Sequence, residues 1–204
     1  EKGLVAPSGP CDEGFYCERG ANESSQYLCL AGHYCPEGSK MAIPCAAGTL
    51  TTGPGESSCP PCPAGMFCVD GIKNDCPPGN YCPEGTGDVP NLCPRGYYSN
   101  RTKLKAEDEC DQCPAGKFCA DSGLTEPSGD CEPGYVCDPK STNRYGGGVQ
   151  CVDVDNEKEA CPKGHYCQYG RATPCPIGTY NTDSGSSSSE SCIACEAGFY
   201  CHFE

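Results

Sequence analysis

A four-residue pattern, C-x-x-G, opens a new segment eleven times in 204 residues and constrains this chain more than any other feature. The opening cysteines are Cys11, Cys29, Cys45, Cys62, Cys76, Cys93, Cys113, Cys131, Cys161, Cys175 and Cys195, each with glycine three places later. Eight of them meet a second cysteine after five intervening residues, as in CPAGMFC at 62–68 and CPPGNYC at 76–82. In seven of those eight the residue before the closing cysteine is aromatic; in the eighth it is Val136. Cys45, Cys93 and Cys175 instead run into longer loops that end in C-x-x-C, at 59–62, 110–113 and 192–195. Self-similarity of this kind predicts a tandem array in which each unit mainly contacts its neighbours.

The complete cycle from Cys62 to Cys113 serves as a ruler for the rest. It divides the chain into a lead at 1–10, repeats at 11–61, 62–112 and 113–194, and the start of an incomplete fourth repeat at 195–204. The third repeat carries an insertion at 141–160 that holds the extra Cys151. In C-P-x-G the proline suits the second position of a turn and the glycine, at the fourth, accepts positive φ. The chain then reverses, which predicts short β-hairpins with an aromatic ring against a disulfide as the core.

Composition agrees. Hydrophobic residues make up 36% of the chain even with 23 Cys and 12 Tyr counted among them, and there is no Trp. Gly and Pro, 27 and 20 residues, break long helices and regular sheets. Apolar burial alone cannot offset about 1–2 kcal/mol of backbone entropy per residue, so covalent staples must carry part of the stability. The expected fold class is therefore small and disulfide-rich: an elongated tandem array of cysteine-rich repeats with short β-hairpins, little helix and a minimal hydrophobic core. Disulfides at this density require an oxidising compartment, outside the cell or at its surface. No signal peptide is visible at Glu1, so the sequence reads as a mature or trimmed product. No run approaches the ~18 apolar residues of a membrane span. The net charge of −14 disfavours nucleic acid and anionic lipid as partners.

Residues that could carry chemistry have plainer readings. The C-x-x-C pairs fall at repeat boundaries without the second nearby pair that zinc ribbons use, and without the βαβ setting of a redox site. His33 and His165 occupy a slot that other copies fill with Phe15, Met66, Asn80, Lys117, Tyr135 and Phe199, which marks a surface position rather than an acid–base one. His202 has no visible partners. No catalytic or cofactor-binding residues are assigned, and no enzyme is expected. Asn22 and Asn100 head N-x-S/T sequons in polar loops and are expected to carry glycans. The acidic run Asp153, Asp155 and Glu157 reads as an exposed insertion, with calcium binding as the alternative. The run 184–189 reads as a bare flexible loop tip or an O-glycosylation patch.

The layout C-P-x-G-x-(Y/F)-C, then C-P-x-G-T-Y, then C-x-x-C resembles the cysteine-rich repeats called ephrin-receptor-like, which are akin to EGF-like and TNF-receptor modules. The resemblance covers nearly the whole chain. It implies spacers and interaction surfaces, as in receptors, protist surface antigens and extracellular fibres such as algal flagellar hairs. It further implies that the long loops close on themselves, Cys45–Cys59, Cys93–Cys110 and Cys175–Cys192. The other cysteines of the first two repeats would cross as in EGF modules, with Cys62–Cys76 beside Cys68–Cys82, and Cys11–Cys29 beside Cys17–Cys35. Twenty-three is odd, so at least one cysteine is free or pairs outside the chain. Cys195 and Cys201, in the unfinished repeat, are the candidates for pairing with a neighbouring protomer, and Cys151 is left unplaced. The function expected is that of an extracellular structural or adhesive glycoprotein repeat, self-associating head-to-tail into a filament or forming part of a longer repeat protein. The alternative is the ligand-binding ectodomain of a receptor or surface antigen.

Overall fold

The structure is a computed structural model and describes residues 6–146 and 160–201. It is built of short antiparallel hairpins with almost no helix: two single 3-10 turns, Glu107–Glu109 and Ser189–Ser191, are the helical elements among the described residues. Eight of the eleven C-x-x-G motifs turn the chain into a short strand among the described residues, and each return strand ends immediately before the next opening cysteine. Phe15–Tyr16 pairs with Tyr27–Leu28, and His33–Tyr34 with Ile43–Pro44. Tyr97–Tyr98 pairs with Asp111–Gln112, Lys117–Phe118 with Gly129–Asp130, and Thr179–Tyr180 with Ile193–Ala194. The two longest hairpins, Met66–Val69 with Ile72–Asp75 and His165–Gln168 with Arg171–Pro174, close through two-residue turns. Both central residues of those turns have positive φ (Asp70 52°, Gly71 72°; Tyr169 52°, Gly170 70°), as a primed hairpin turn demands. A module is therefore one motif plus its hairpin, and each is named below by its opening cysteine.

The motif turn sits one residue further along than the sequence suggests. In CPAGMFC the Met66 N–H donates to the Pro63 carbonyl (3.1 Å), so Pro63 is the first turn residue and Gly65 the third. Gly65 has φ of 85°, the left-handed value required at the third position of a type II turn.

The disulfides correct the crossed pairing. Every seven-residue motif closes on itself: Cys11–Cys17, Cys29–Cys35, Cys62–Cys68, Cys76–Cys82, Cys113–Cys119, Cys131–Cys137, Cys161–Cys167 and Cys195–Cys201. Cys62–Cys76, Cys68–Cys82, Cys11–Cys29 and Cys17–Cys35 do not form. The reason is local: the turn reverses the chain within six residues and brings Cys62 and Cys68 to a Cα separation of 5.8 Å, inside disulfide reach. The long loops close as Cys45–Cys59, Cys93–Cys110 and Cys175–Cys192. Cys195 and Cys201 bond to each other and are not left for a neighbouring protomer. All the cysteines among the described residues are paired; Cys151 lies outside the described residues. Among the described residues no disulfide links one module to the next.

Modules are instead joined by main-chain hydrogen bonds. The N–H of each opening cysteine from Cys29 to Cys195 donates to the carbonyl of the motif glycine one module earlier, at 2.8–3.0 Å. At the Cys62–Cys76 junction the set has four bonds. Cys76 N–H donates to Gly65 C=O (3.0 Å), Gly65 N–H to Cys82 C=O (2.7 Å), Gly85 N–H to Cys62 C=O (2.8 Å), and Cys68 N–H to Thr86 C=O (3.0 Å). The Cys11–Cys29 and Cys113–Cys131 junctions repeat all four. Such bonds contribute about 1 kcal/mol each and, being main-chain, do not depend on the side chains present.

The motif glycines also pack two modules ahead. A Cβ on Gly65 would lie 2.8 Å from the Lys103 carbonyl oxygen, and one on Gly116 would overlap that of Tyr169. Gly48, Gly79 and Gly134 meet the carbonyls of Gly85, Gly123 and Gly185 in the same way.

The chain divides into two compact units. The first comprises Glu1–Pro77, Tyr81–Asn91 and Thr102–Ala106. Its apolar centre is Leu50 with Cys62, Cys68 and the half-buried Met66, and Leu104 is buried where it bridges Tyr81. The second comprises Pro78–Asn80, Leu92–Arg101 and Glu107–Glu204. There the buried polar residues carry the ladder: Ser99 C=O accepts from Gly79 N–H, Ser141 C=O from Cys119 N–H, and Asn181 C=O from Gly164 N–H. Every ladder rung lies inside one or the other unit. The largest fully buried side chains are all cysteines, while the rings before the closing cysteines are half-buried at most. The core is thus cystine itself, and the aromatic rings flank it.

Candidate functional site

Each C-x-x-C cysteine belongs to a different disulfide: Cys59 bonds Cys45 and Cys62 bonds Cys68, and the pairs at 110–113 and 192–195 divide likewise. Neither cysteine of a pair offers a thiolate for metal or redox chemistry. Among the described residues no group of three or more His, Cys, Asp or Glu is placed to hold a metal ion. Asp153, Asp155, Glu157 and His202 lie outside the described residues.

His33 and His165 open the strands after Gly32 and Gly164 and pair across their hairpins with Pro44 and Pro174. His33 Nδ1 is buried without a hydrogen-bond partner, and His165 Nδ1 lies 3.1 Å from the Lys163 carbonyl. The same strand position holds Met66 opposite Asp75 and Lys117 opposite Asp130. Asn22 and Asn100 are both exposed. The hydroxyl of Ser24, in the first sequon, donates to Asp12 Oδ2 at 2.7 Å.

Two recesses mark the second unit. A cleft of about 380 Å³ is lined by Ala115, Gly116, Lys117, Asp130, Tyr169 and Arg171. Its Lys117 and Asp130 pair with each other at 2.6 Å and are 45% and 60% exposed, so the pair adds little to stability and leaves no buried charge for a ligand. A smaller recess of about 180 Å³ involves Gly164, Pro176, Ile177, Tyr180 and Cys201. Around it Ile177, Ile193, Phe199 and Tyr200 stand out into solvent.

What the fold does build repeatedly is an edge that binds another module: donors and acceptors of the motif, held at fixed spacing by a disulfide. Its sequence signal is the second set of C-x-x-G copies, starting at the closing cysteines Cys17, Cys35, Cys68, Cys82 and Cys167. They make the positive-φ turns at Gly38, Gly71, Gly85 and Gly170 that meet a neighbouring module.

No protein-family model matches the chain. It is similar to zonadhesin of Mus musculus, 28% identical over 197 residues that cover 92% of this chain and 3% of zonadhesin. It is similar also to thyroglobulin of Mus musculus, 53% identical over 38 residues that cover 19% of this chain and 1% of thyroglobulin. The chain thus spans a small fraction of either relative's length. These likenesses fit a cysteine-rich extracellular repeat and do not single out the ephrin-receptor-like type. With eleven disulfides among the described residues requiring an oxidising compartment, the chain is a disulfide-stapled repeat of extracellular character. No helix among the described residues is long and apolar enough to cross a membrane.

Proposed function

We propose that this chain is an extracellular structural or adhesive repeat, without catalytic activity, that builds a surface fibre or filament by stacking modules head-to-tail. One observation supports the reading above others: cohesion between modules rests on main-chain bonds that recur at every boundary, whatever the side chains. A surface that binds through the backbone accepts any module carrying the same motif, which is the property a polymer of repeats needs. The net charge of −14 keeps the outer surface solvated and turns nucleic acid away. Glycans on the exposed Asn22 and Asn100 project from inter-cysteine loops and complete the surface.

Electron microscopy of material purified from its source tests the reading. Fibres that label with antibody against this chain are expected. Discrete particles that co-purify with a stoichiometric ligand would instead make the chain a receptor ectodomain.

A further inference from the structure

The hairpins Met66–Val69 with Ile72–Asp75 and His165–Gln168 with Arg171–Pro174 share one register and one way of packing. Each sets its turn glycine on the motif glycine two modules back: Gly71 on Gly32 in the first unit, Gly170 on Gly116 in the second. The two junctions therefore have one backbone and can be compared residue by residue. Around the first stand His33, Pro44, Val69, Asp70, Ile72 and Asn74. In the second, Lys117, Asp130, Gln168, Tyr169, Arg171 and Thr173 take those places in the same order. The apolar Pro44, Val69 and Ile72 give way to Asp130, Gln168 and Arg171, and the polar turn residue Asp70 gives way to a tyrosine.

Tyr169 is at odds with its position. The first central residue of such a turn needs positive φ, which an Asp-Gly or Asn-Gly pair supplies at least cost. Asp70 has φ of 52°, and Tyr169 has the same value. A bulky side chain in that region is a steric outlier. The ring gains no packing in return, for Tyr169 is 75% exposed. Local folding disfavours this tyrosine and burial does not reward it, so another contact must account for it.

The residue lines the cleft of about 380 Å³, near the lower end of the ~300–1,000 Å³ usual for small-ligand sites. Its turn is firmly seated: the Tyr169 carbonyl rests on Gly116, and a Cβ on Gly170 would lie 2.6 Å from the Gly116 Cα. The ring is thus presented with little left to order on binding.

The other lining groups select the ligand's chemistry. Lys117 donates to Asp130 Oδ1 at 2.6 Å, so neither charge is left to hold an ion, and Asp130 Oδ2 remains as an acceptor. Gln168 faces Arg171 across the turn, and Thr173 shares the face of Arg171 by strand alternation. All three are exposed and polar, which excludes an apolar ligand. The chain's charge of −14 repels acidic polymers. A flat ring beside mixed donors and acceptors in an open cleft suits a pyranose. The C–H face of the sugar stacks on the aromatic ring, and its hydroxyls, each donor and acceptor at once, span the polar side chains.

We infer that this cleft binds an uncharged sugar, stacked on Tyr169 and held by Asp130, Gln168, Arg171 and Thr173. The site goes beyond the structural role proposed above, since it gives the repeat a glycan-recognising face whether or not copies form fibres.

A microarray of neutral, sialylated and sulfated glycans tests it, probed with the secreted full chain clustered on a tag antibody so that weak single-site binding is visible. Wild type is expected to bind neutral glycans. Tyr169→Phe keeps the ring and should retain the signal. Tyr169→Asp, which installs the residue of the equivalent turn, should lose roughly tenfold or more, as when a stacking platform is removed. The same variant should hold or raise Tm, because aspartate suits the turn better. Undiminished binding by Tyr169→Asp would overturn the site. So would a fall in its Tm, which would make the tyrosine a packing residue. Binding confined to sialylated or sulfated glycans, or to none, would overturn the uncharged sugar as ligand. Each of these results leaves the fibre reading to be decided by microscopy of the native material.

Discussion

The N–H of Cys131 donates to the carbonyl of Gly116 at 3.0 Å, one of four main-chain bonds that join two modules no disulfide connects among the described residues. Gly116 C=O is available because the motif turn points it outward, and Cys131 N–H is fixed because Cys131 is bonded to Cys137. Covalent chemistry shapes each module, and main-chain hydrogen bonding assembles the modules. The consequences of this division of labour can be measured separately.

Gly116 combines two demands, a φ of 88° and contact with the Tyr169 carbonyl, whereas Gly85 has φ of 81° with open space around it. Gly85→Ala is expected to cost about 1–2 kcal/mol for the left-handed backbone alone. Gly116→Ala is expected to cost at least ~1 kcal/mol more. Thermal unfolding should show the difference as roughly a further 2–4 °C of lost Tm for a chain of this size. Equal costs would mean that the close approach is not made.

Disulfide mapping by non-reducing digestion and mass spectrometry should return Cys62–Cys68 and Cys76–Cys82 as separate linked peptides. A peptide linking Cys62 to Cys76 would restore the crossed, EGF-like scheme and remove the basis of the ladder.

Leu104 and Leu50 are the non-cysteine apolar residues buried below a tenth of their surface among the described residues. Leu104→Ala is expected to destabilise by about 2–3 kcal/mol through the lost methyl groups and the cavity left behind. Leu92→Ala, at a position 55% exposed, should cost far less. Denaturant titration of both variants reads this directly.

Expression through a secretory pathway should yield a chain heavier than its sequence. Asn22→Gln and Asn100→Gln should each remove one glycan, seen as a step in intact mass. A wild-type mass equal to that of the bare chain would show both sequons to be unused.

Much of this arrangement is legible in the residues. The recurring motif, the aromatic before the closing cysteine and the depleted apolar content lead to short hairpins and a minimal core. The long loops from Cys45, Cys93 and Cys175 close as the family resemblance implies. The pairing of the shorter motifs was not legible, because cysteines at 62, 68, 76 and 82 can join locally or crossed. The choice depends on which distance the turn sets, and that turn begins at Pro63 rather than Cys62. The site was least legible of all. A main-chain edge leaves no side-chain signature, so the residues that draw attention, His33 and the C-x-x-C pairs, are not those that join modules. The second set of C-x-x-G turns, from Cys17 to Cys167, did carry the signal. It becomes readable only once Gly85 N–H is seen to donate to the Cys62 carbonyl.

Hydrogen exchange of individual amides tests the ladder most directly. The N–H groups of Cys29, Cys62, Cys76, Cys113 and Cys131 each donate across a module boundary. These amides should exchange far more slowly than those of an unstructured peptide. Fast exchange at the Cys29 to Cys131 amides would contradict the account, for it would leave the modules tethered by the chain and not bonded to one another.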